Sequence, residues 1–413
     1  MNDAAWFLLL LLISSFSSCA CVSSPRTPVV RTPNGPVRGL ISRTIWHSMR
    51  YSSFKGIPYA KPPLGDLRFK PPVPIDPWRK VLHAYEEGSV CPQWDYLSLA
   101  YMGREDCLFL NVFTREVEFK KRINLRPVMI WIHGGGYFSG YSNSSLYGPD
   151  FFLEEDVVLV SFNYRLGVLG FLALKHPNAT GNAGLKDQRL VFQWVQNNIA
   201  AFGGDPNQVT IFGESAGGTS IGFHMLSERS KGLFLRSISM SGSPLCPWAY
   251  HSPEQMIQNA YQLATVLEYT PKNHDDLLNY FRQVPLMELI RASTKVDMNL
   301  LPFRPTIEDP DIDPCNSTVI TECPITRYHN GDLYRHDIML GYTHDEVFFF
   351  FGPPIGVAST INWAKKYLQN AAKENKDIGE EPQALLARVV NDLVKAGSSR
   401  PRRFLECFLD SHR

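Results

Sequence analysis

The sequence has almost no net charge: 41 Lys and Arg stand against 40 Asp and Glu, a formal +1. A chain that tracks nucleic acid needs a basic excess, so that class is excluded. The two basic clusters, Lys120-Lys121-Arg122 and Arg400-Pro401-Arg402-Arg403, are short and read as solvated loops. There is no internal repeat and no low-complexity segment, so nothing indicates a solenoid. There is no CxxC pair and no cluster of His and Cys, so nothing indicates a zinc site. Beyond the N-terminus there is no apolar run long enough to span a membrane. Histidine is scarce late in the chain. Of 11 histidines, only His412 lies after residue 346.

The N-terminus is apolar. Residues 6–16 read WFLLLLLISSF, too short for a membrane helix but right for the core of a signal peptide. Small residues follow at Ser18-Cys19-Ala20, so a signal peptide over 1–20 and a secreted mature chain are expected. Its opening, MNDAAW, lacks the usual positive charge. Eight cysteines are present, and disulfides are the expectation in an oxidising compartment. Three N-x-[ST] sequons, at Asn143, Asn178 and Asn316, fit the same compartment as glycosylation acceptors.

From about residue 79 strands alternate with helices. PVMIWIH (127–133) and DVVLVSFN (156–163) are near-continuous apolar runs, as expected of strands buried on both faces of a mostly parallel sheet. A helix is expected over 184–201, with Asn182 as its cap. QVTIFG (208–213), RSISMS (236–241) and HDIMLGYT (336–343) read as further strands, and 253–266 and 273–294 as helical stretches. Helices are expected again at 361–375 and 383–396, with no strand after them. The alternation is that of an α/β fold, a central mostly parallel sheet flanked by helices.

One short stretch carries chemistry. In TIFGESAGG (210–218) an apolar strand runs into Gly-Glu-Ser-Ala-Gly. A serine on so sharp a strand-to-helix turn is exposed above the sheet, and glycines flank it because side chains would collide. Ser215 is the nucleophile this pattern supplies. Acyl transfer also needs donors for a developing oxyanion. His133-Gly134-Gly135-Gly136 follows the strand 127–133 and offers backbone N–H groups, and the N–H of Ala216 offers another. His133 lies upstream on that loop and reads as structural rather than as the base.

These motifs, with FKGIPYAKPPLGDLRFKPP, REDCLFLNVFT, VVLVSFNYRLGVLGFL, GNAGLKDQRLVFQWVQNNIAAFGGDPNQ and SGSPLCPWA, resemble in order the type-B carboxylesterase and cholinesterase family over about residues 28–350. The resemblance implies an α/β-hydrolase fold and a carboxylesterase domain over 24–413, with a divergent tail at 398–413. It implies Ser215 as nucleophile, Gly135, Gly136 and Ala216 as the oxyanion hole, and a disulfide between Cys91 and Cys107. Arg68 with Glu105, and Arg165 with Asp187, match structural pairs. Glu346 in GYTHDEVFFFFG falls on the family's acid, with Asp345 as the alternative; Val347 stands where the family usually has glycine. The resemblance implies neither a metal nor an organic cofactor. It implies a small-molecule substrate, a carboxylic ester with an apolar part.

On this fold the triad runs Ser, acid, His in chain order. The base should therefore follow Glu346, where 67 residues remain and His412 is the one histidine. The family's histidine loop has no counterpart there. His224, His329, His336 and His344 lie before the acid and read as structural or exposed. The expectation is a member that lacks the last strands, whose competence hangs on a missing base. The alternative is an inactive pseudoenzyme or binding protein of the same fold. A cholinesterase would need an aromatic wall in the segment between Cys91 and Cys107. Trp94 is there, but the segment is short, so a general carboxylesterase is preferred, with a juvenile-hormone-type esterase harder to exclude.

Overall fold

The apolar runs of the sequence form the middle of a sheet that has eight strands among the described residues. The computed structural model describes residues 25–344 and Glu346, apart from 96–97, 120–124, 247 and 297–301. In chain order the strands are β1 (Leu40–Arg43), β2 (Arg50–Pro58), β3 (Phe109–Thr114), β4 (Arg126–Ile132), β5 (Val158–Phe162), β6 (Gly204–Glu214), β7 (Arg236–Met240) and β8 (Asp337–Gly341). Across the sheet the order is β8-β7-β6-β4-β5-β3-β2-β1. Pairing is antiparallel from β1 through β3 to β5 and parallel from β5 through β4, β6 and β7 to β8.

Period-2 alternation divides the central strands between two clusters. Val128, Ile130 and Ile132 of β4, Val158, Val160 and Phe162 of β5, and Val209 and Ile211 of β6 enter the large core. Leu159 and Phe212 point the other way, into a smaller cluster with Tyr51, Phe113 and Leu153, against which Met129 and Trp131 pack partly buried. Every residue of β5 is buried.

Helices α1 (Ala183–Asn198) and α2 (Ala216–Leu226) pack against β6. Farther along are α3 (Pro253–Val266), α4 (His274–Gln283), α5 (Leu286–Ser293) and α6 (Pro324–Asn330). The stretch 273–294, expected as one helical region, breaks at Val284-Pro285, because proline has no N–H to continue the ladder. Asn182 precedes α1 but does not cap it. Its backbone is left-handed, at φ +53°. Its amide instead donates to the Thr306 carbonyl at 2.7 Å and to Glu308 at 2.8 Å, while its oxygen accepts from the Thr306 N–H at 2.9 Å.

Buried ion pairs lock the frame. Arg165 holds Asp187 bidentately at 2.7 and 2.8 Å, with 2% and 0% of the two side chains exposed. Arg68 grips Glu105 through two bonds of 2.6 Å. Cys91 and Cys107 form a disulfide, while Cys246, Cys315 and Cys323 are free thiols. The sequon residue Asn316 is exposed, and Asn143 and Asn178 are half-buried. The proposed signal peptide 1–20, Asp345, Cys407, His412, the tail 398–413 and the helices expected at 361–375 and 383–396 lie outside the described residues.

Candidate active site

Ser215 stands between β6 and α2 with φ +55° and ψ −120°, a region that L-residues rarely occupy. Neighbouring glycines make room for it. A Cβ on Gly213 would lie 2.6 Å from the Ile132 carbonyl oxygen, and one on Gly217 would strike the same oxygen. A Cβ on Gly242 would strike the carbonyl oxygen of Ser215 itself. The strain is held from both sides. Ser215 N–H donates to the Met240 carbonyl at 2.9 Å, and Thr219 N–H donates to the Ser215 carbonyl at 2.9 Å.

The glycine loop after β4 lies against this elbow. A Cβ on Gly134 would be 2.7 Å from Glu214 Oε2 and 3.2 Å from Ser215 Cβ. Gly135 and Gly136 follow with φ of +101° and +60°, conformations that favour glycine. The turn is closed by Phe138 and Ser139, whose N–H groups both donate to the Gly135 carbonyl, at 3.1 and 3.0 Å. Among the described residues, the N–H groups of Gly135, Gly136 and Ala216 have no acceptor. Ala216 is buried and Gly135 and Gly136 are half-buried, and buried N–H groups are almost always paired, so open donors next to the elbow are chemically distinctive.

His133 is buried, and its ring stacks on Tyr164 with centroids 4.3 Å apart. Tyr164 OH donates to the His133 carbonyl at 2.9 Å, and the ring Nδ1 sits 2.9 Å from the Gly134 carbonyl. Burial pushes the imidazole down to about 4, against the opposing pull of the Gly134 carbonyl. It is a neutral strut of the glycine loop.

Glu346 lies beyond β8. Its Oε1 accepts from the Ser241 hydroxyl at 2.5 Å and from the Thr343 N–H at 2.7 Å. Burial works against its charged form, but these hydrogen bonds outweigh it and hold the carboxyl below its ordinary value. Ser241 ends the β7 connection with φ +51°. Sequence reasoning missed this partner, and no local signal marks it. Glu214, next to Ser215, is shifted upward by burial and then by the negative charge of Glu346. The two carboxylates therefore share the neighbourhood of the elbow.

The described histidines are placed elsewhere. His224 is buried on α2 between Ser230 Oγ and Gln188 Oε1, each at 2.9 Å, and burial, then the Arg189 charge, push it down to about 3. His336 accepts from Ser237 Oγ at 2.7 Å and donates to the Tyr334 carbonyl at 3.0 Å. His329 and His344 are exposed. No hydrogen bond joins a described histidine to the Ser215 hydroxyl. Among the described residues no three His, Cys, Asp or Glu are grouped to hold a metal ion, and no helix is long and apolar enough to cross a membrane.

A profile of the carboxylesterase family matches residues 26–400. The chain belongs to that family. A carboxylic ester hydrolase of Bombus ignitus is 39% identical over 359 residues, covering 84% of this chain and 61% of its own length. A juvenile hormone esterase of Tribolium castaneum is 36% identical, covering 86% of this chain and 61% of its own. Among solved structures, the juvenile hormone esterase of Manduca sexta with OTFP covalently attached superimposes with a TM-score of 0.79. It is 31% identical and covers 89% of this chain and 69% of its own. The fold is thus that of an α/β-hydrolase. The chain spans about three fifths of the length of the two relatives named from sequence.

Proposed function

We propose that this carboxylesterase-family chain is a secreted serine carboxylic ester hydrolase working through an acyl-serine intermediate. The observation that carries the reading is the strained Ser215 elbow packed against the glycine loop, with the N–H groups of Gly135, Gly136 and Ala216 without an acceptor among the described residues. Ser215 Oγ attacks the ester carbonyl and its proton passes to a base. The N–H groups of Gly135, Gly136 and Ala216 receive the developing oxyanion. The alcohol leaves with a proton, and water then attacks the acyl-serine to release the acid. Glu346, held ionised by Ser241 and Thr343, orients the base and stabilises its charged form. The substrate is a small carboxylic ester with an apolar part, and the reaction calls for no metal or organic cofactor. The buried Cys91–Cys107 disulfide supports an oxidising compartment, as does a sequon with an exposed acceptor at Asn316.

Competence turns on the base, which the described residues do not supply. That favours a second reading, a binding protein of the same fold that keeps an idle serine. Fluorophosphonate labelling and turnover of p-nitrophenyl acetate separate the two. The enzyme reading expects Ser215 to be labelled, and Ser215→Ala to lose both labelling and turnover. Wild type no more reactive than Ser215→Ala sinks it.

A further inference from the structure

The glycine loop is tied to the disulfide-closed segment by one side chain. Gln93 lies two residues after Cys91 and is 1% exposed. Its Nε2 donates to the Gly140 carbonyl at 2.9 Å and to the Cys91 carbonyl at 3.0 Å. Its Oε1 accepts from the Gly140 N–H at 2.7 Å and from Ser139 Oγ at 3.1 Å. The amide therefore pairs with Gly140 much as a peptide group pairs across a ladder. Gly140 itself cannot shift far. Its φ is +117°, and a Cβ there would strike His133 Nδ1 and the Gly134 carbonyl. Ser139, the residue between, closes the turn onto the Gly135 carbonyl at 3.0 Å. On the other side Cys91 is fixed by its disulfide and by Gly103, where a Cβ would strike the Cys91 carbonyl.

We propose that Gln93 is a positioning residue for the oxyanion loop, carrying the constraint of the Cys91–Cys107 disulfide to the turn that aims the N–H groups of Gly135 and Gly136. This rests on the reading of those groups as oxyanion donors. All four hydrogen-bonding contacts of the Gln93 amide are buried or partly buried, so removing it frees the loop and leaves the Gly140 N–H without its acceptor. A loop displaced by about 1 Å loses about 100-fold in rate while substrate binding is little changed.

The test compares wild type, Gln93→Leu and Gln93→Glu. The Glu variant keeps the acceptor oxygen for Gly140 and Ser139 and loses the donor. Amide hydrogen exchange over residues 134–141 reads the loop directly, and fluorophosphonate labelling is resolved into reversible affinity and inactivation rate. The expected result is faster exchange at Gly140 in Gln93→Leu, an inactivation rate down about 100-fold with affinity held, and partial recovery in Gln93→Glu. Unchanged exchange in Gln93→Leu overturns the proposal. So does faster exchange with an unchanged inactivation rate, or a loss confined to affinity. If wild type is not labelled at all, the nucleophile reading fails first, and exchange alone decides whether Gln93 holds the loop. Should Gln93→Leu fail to fold, Ser139→Ala removes the hydroxyl that donates to Gln93 at 3.1 Å and to Asp95 at 3.3 Å. It is expected to speed exchange over 134–141 less than the loss of the whole amide, and no change would overturn the proposal.

Discussion

The centre of the sheet and its β8 edge are built on different terms. At the centre, β4, β5 and β6 are each paired on both sides. The elbow and glycine loop grow from their ends, fixed by glycine contacts, backbone hydrogen bonds and a neutral buried His133. At the edge of the described sheet, β8 pairs with β7, and all five of its residues are exposed. Glu346 stands five residues beyond that strand, held by Ser241 and by the neighbouring Thr343. The Ser215 elbow and the glycine-loop N–H groups are therefore placed by the packed interior, while Glu346, the proposed acid, follows a strand whose own residues are exposed. Preorganisation is unequal within one site.

The strongest way to break the contrast is to damage the centre. Asp187→Ala removes the partner of buried Arg165 and leaves its guanidinium uncompensated. Breaking such a pair costs about 3–5 kcal/mol. Urea denaturation of the disulfide-intact protein should show that loss as a lower midpoint, and a loss under about 1 kcal/mol would mean that the pair behaves like a surface one.

Acid sharpens the contrast next. His133 and His224 are neutral when folded, with values near 4 and near 3 against 6.5 for the free group. Below 6.5 the unfolded chain takes up protons that the folded chain refuses, so stability present above that pH is lost as pH falls. Each histidine removes about 1.4 kcal/mol per pH unit, and both act down to about pH 4. Glu346 has a depressed value too, so it contributes stability above its ordinary 4.5 and loses it only at lower pH. Acid weakening therefore begins in the interior. Denaturation midpoints of His224→Gln across pH 7 to 5 should fall with about half the wild-type slope; an unchanged slope would remove His224 from the account.

What the sequence made legible follows the same division. The elbow could be read because its pattern is local: Gly213, Ser215 and Gly217 lie within five residues, even though both glycines also clear the Ile132 carbonyl of the neighbouring strand. The strand β5 could be read because burial on both faces leaves a continuous apolar run, and β4 because its second face is still partly buried. Asn182 was misassigned as a cap because its partner, Thr306, lies 124 residues away, and tertiary bonding overrode the local rule. Ser241 and Gln93 were invisible as functional residues for the same reason. Their acceptors and donors are 105 and 47 residues distant, and nothing in a lone serine or glutamine marks such reach. Glu346 was reached through resemblance, since a loop carboxylate has no periodicity to announce it.

The smallest effect belongs at the edge. Met339 and Leu340 are 65% and 69% exposed on β8, although β7 on its inner side is a partly buried strand. Met339→Lys and Leu340→Lys should each change unfolding free energy by no more than about 0.5 kcal/mol, as surface substitutions do. Lysine on an exposed strand also opposes strand-to-strand association, so light scattering of the purified protein should fall. A loss of about 2 kcal/mol or more, the range for filling a buried site with an unpaired charge, would contradict the exposed edge. It would mean that β8 is covered in solution, and that Glu346 is held by more than Ser241 and Thr343.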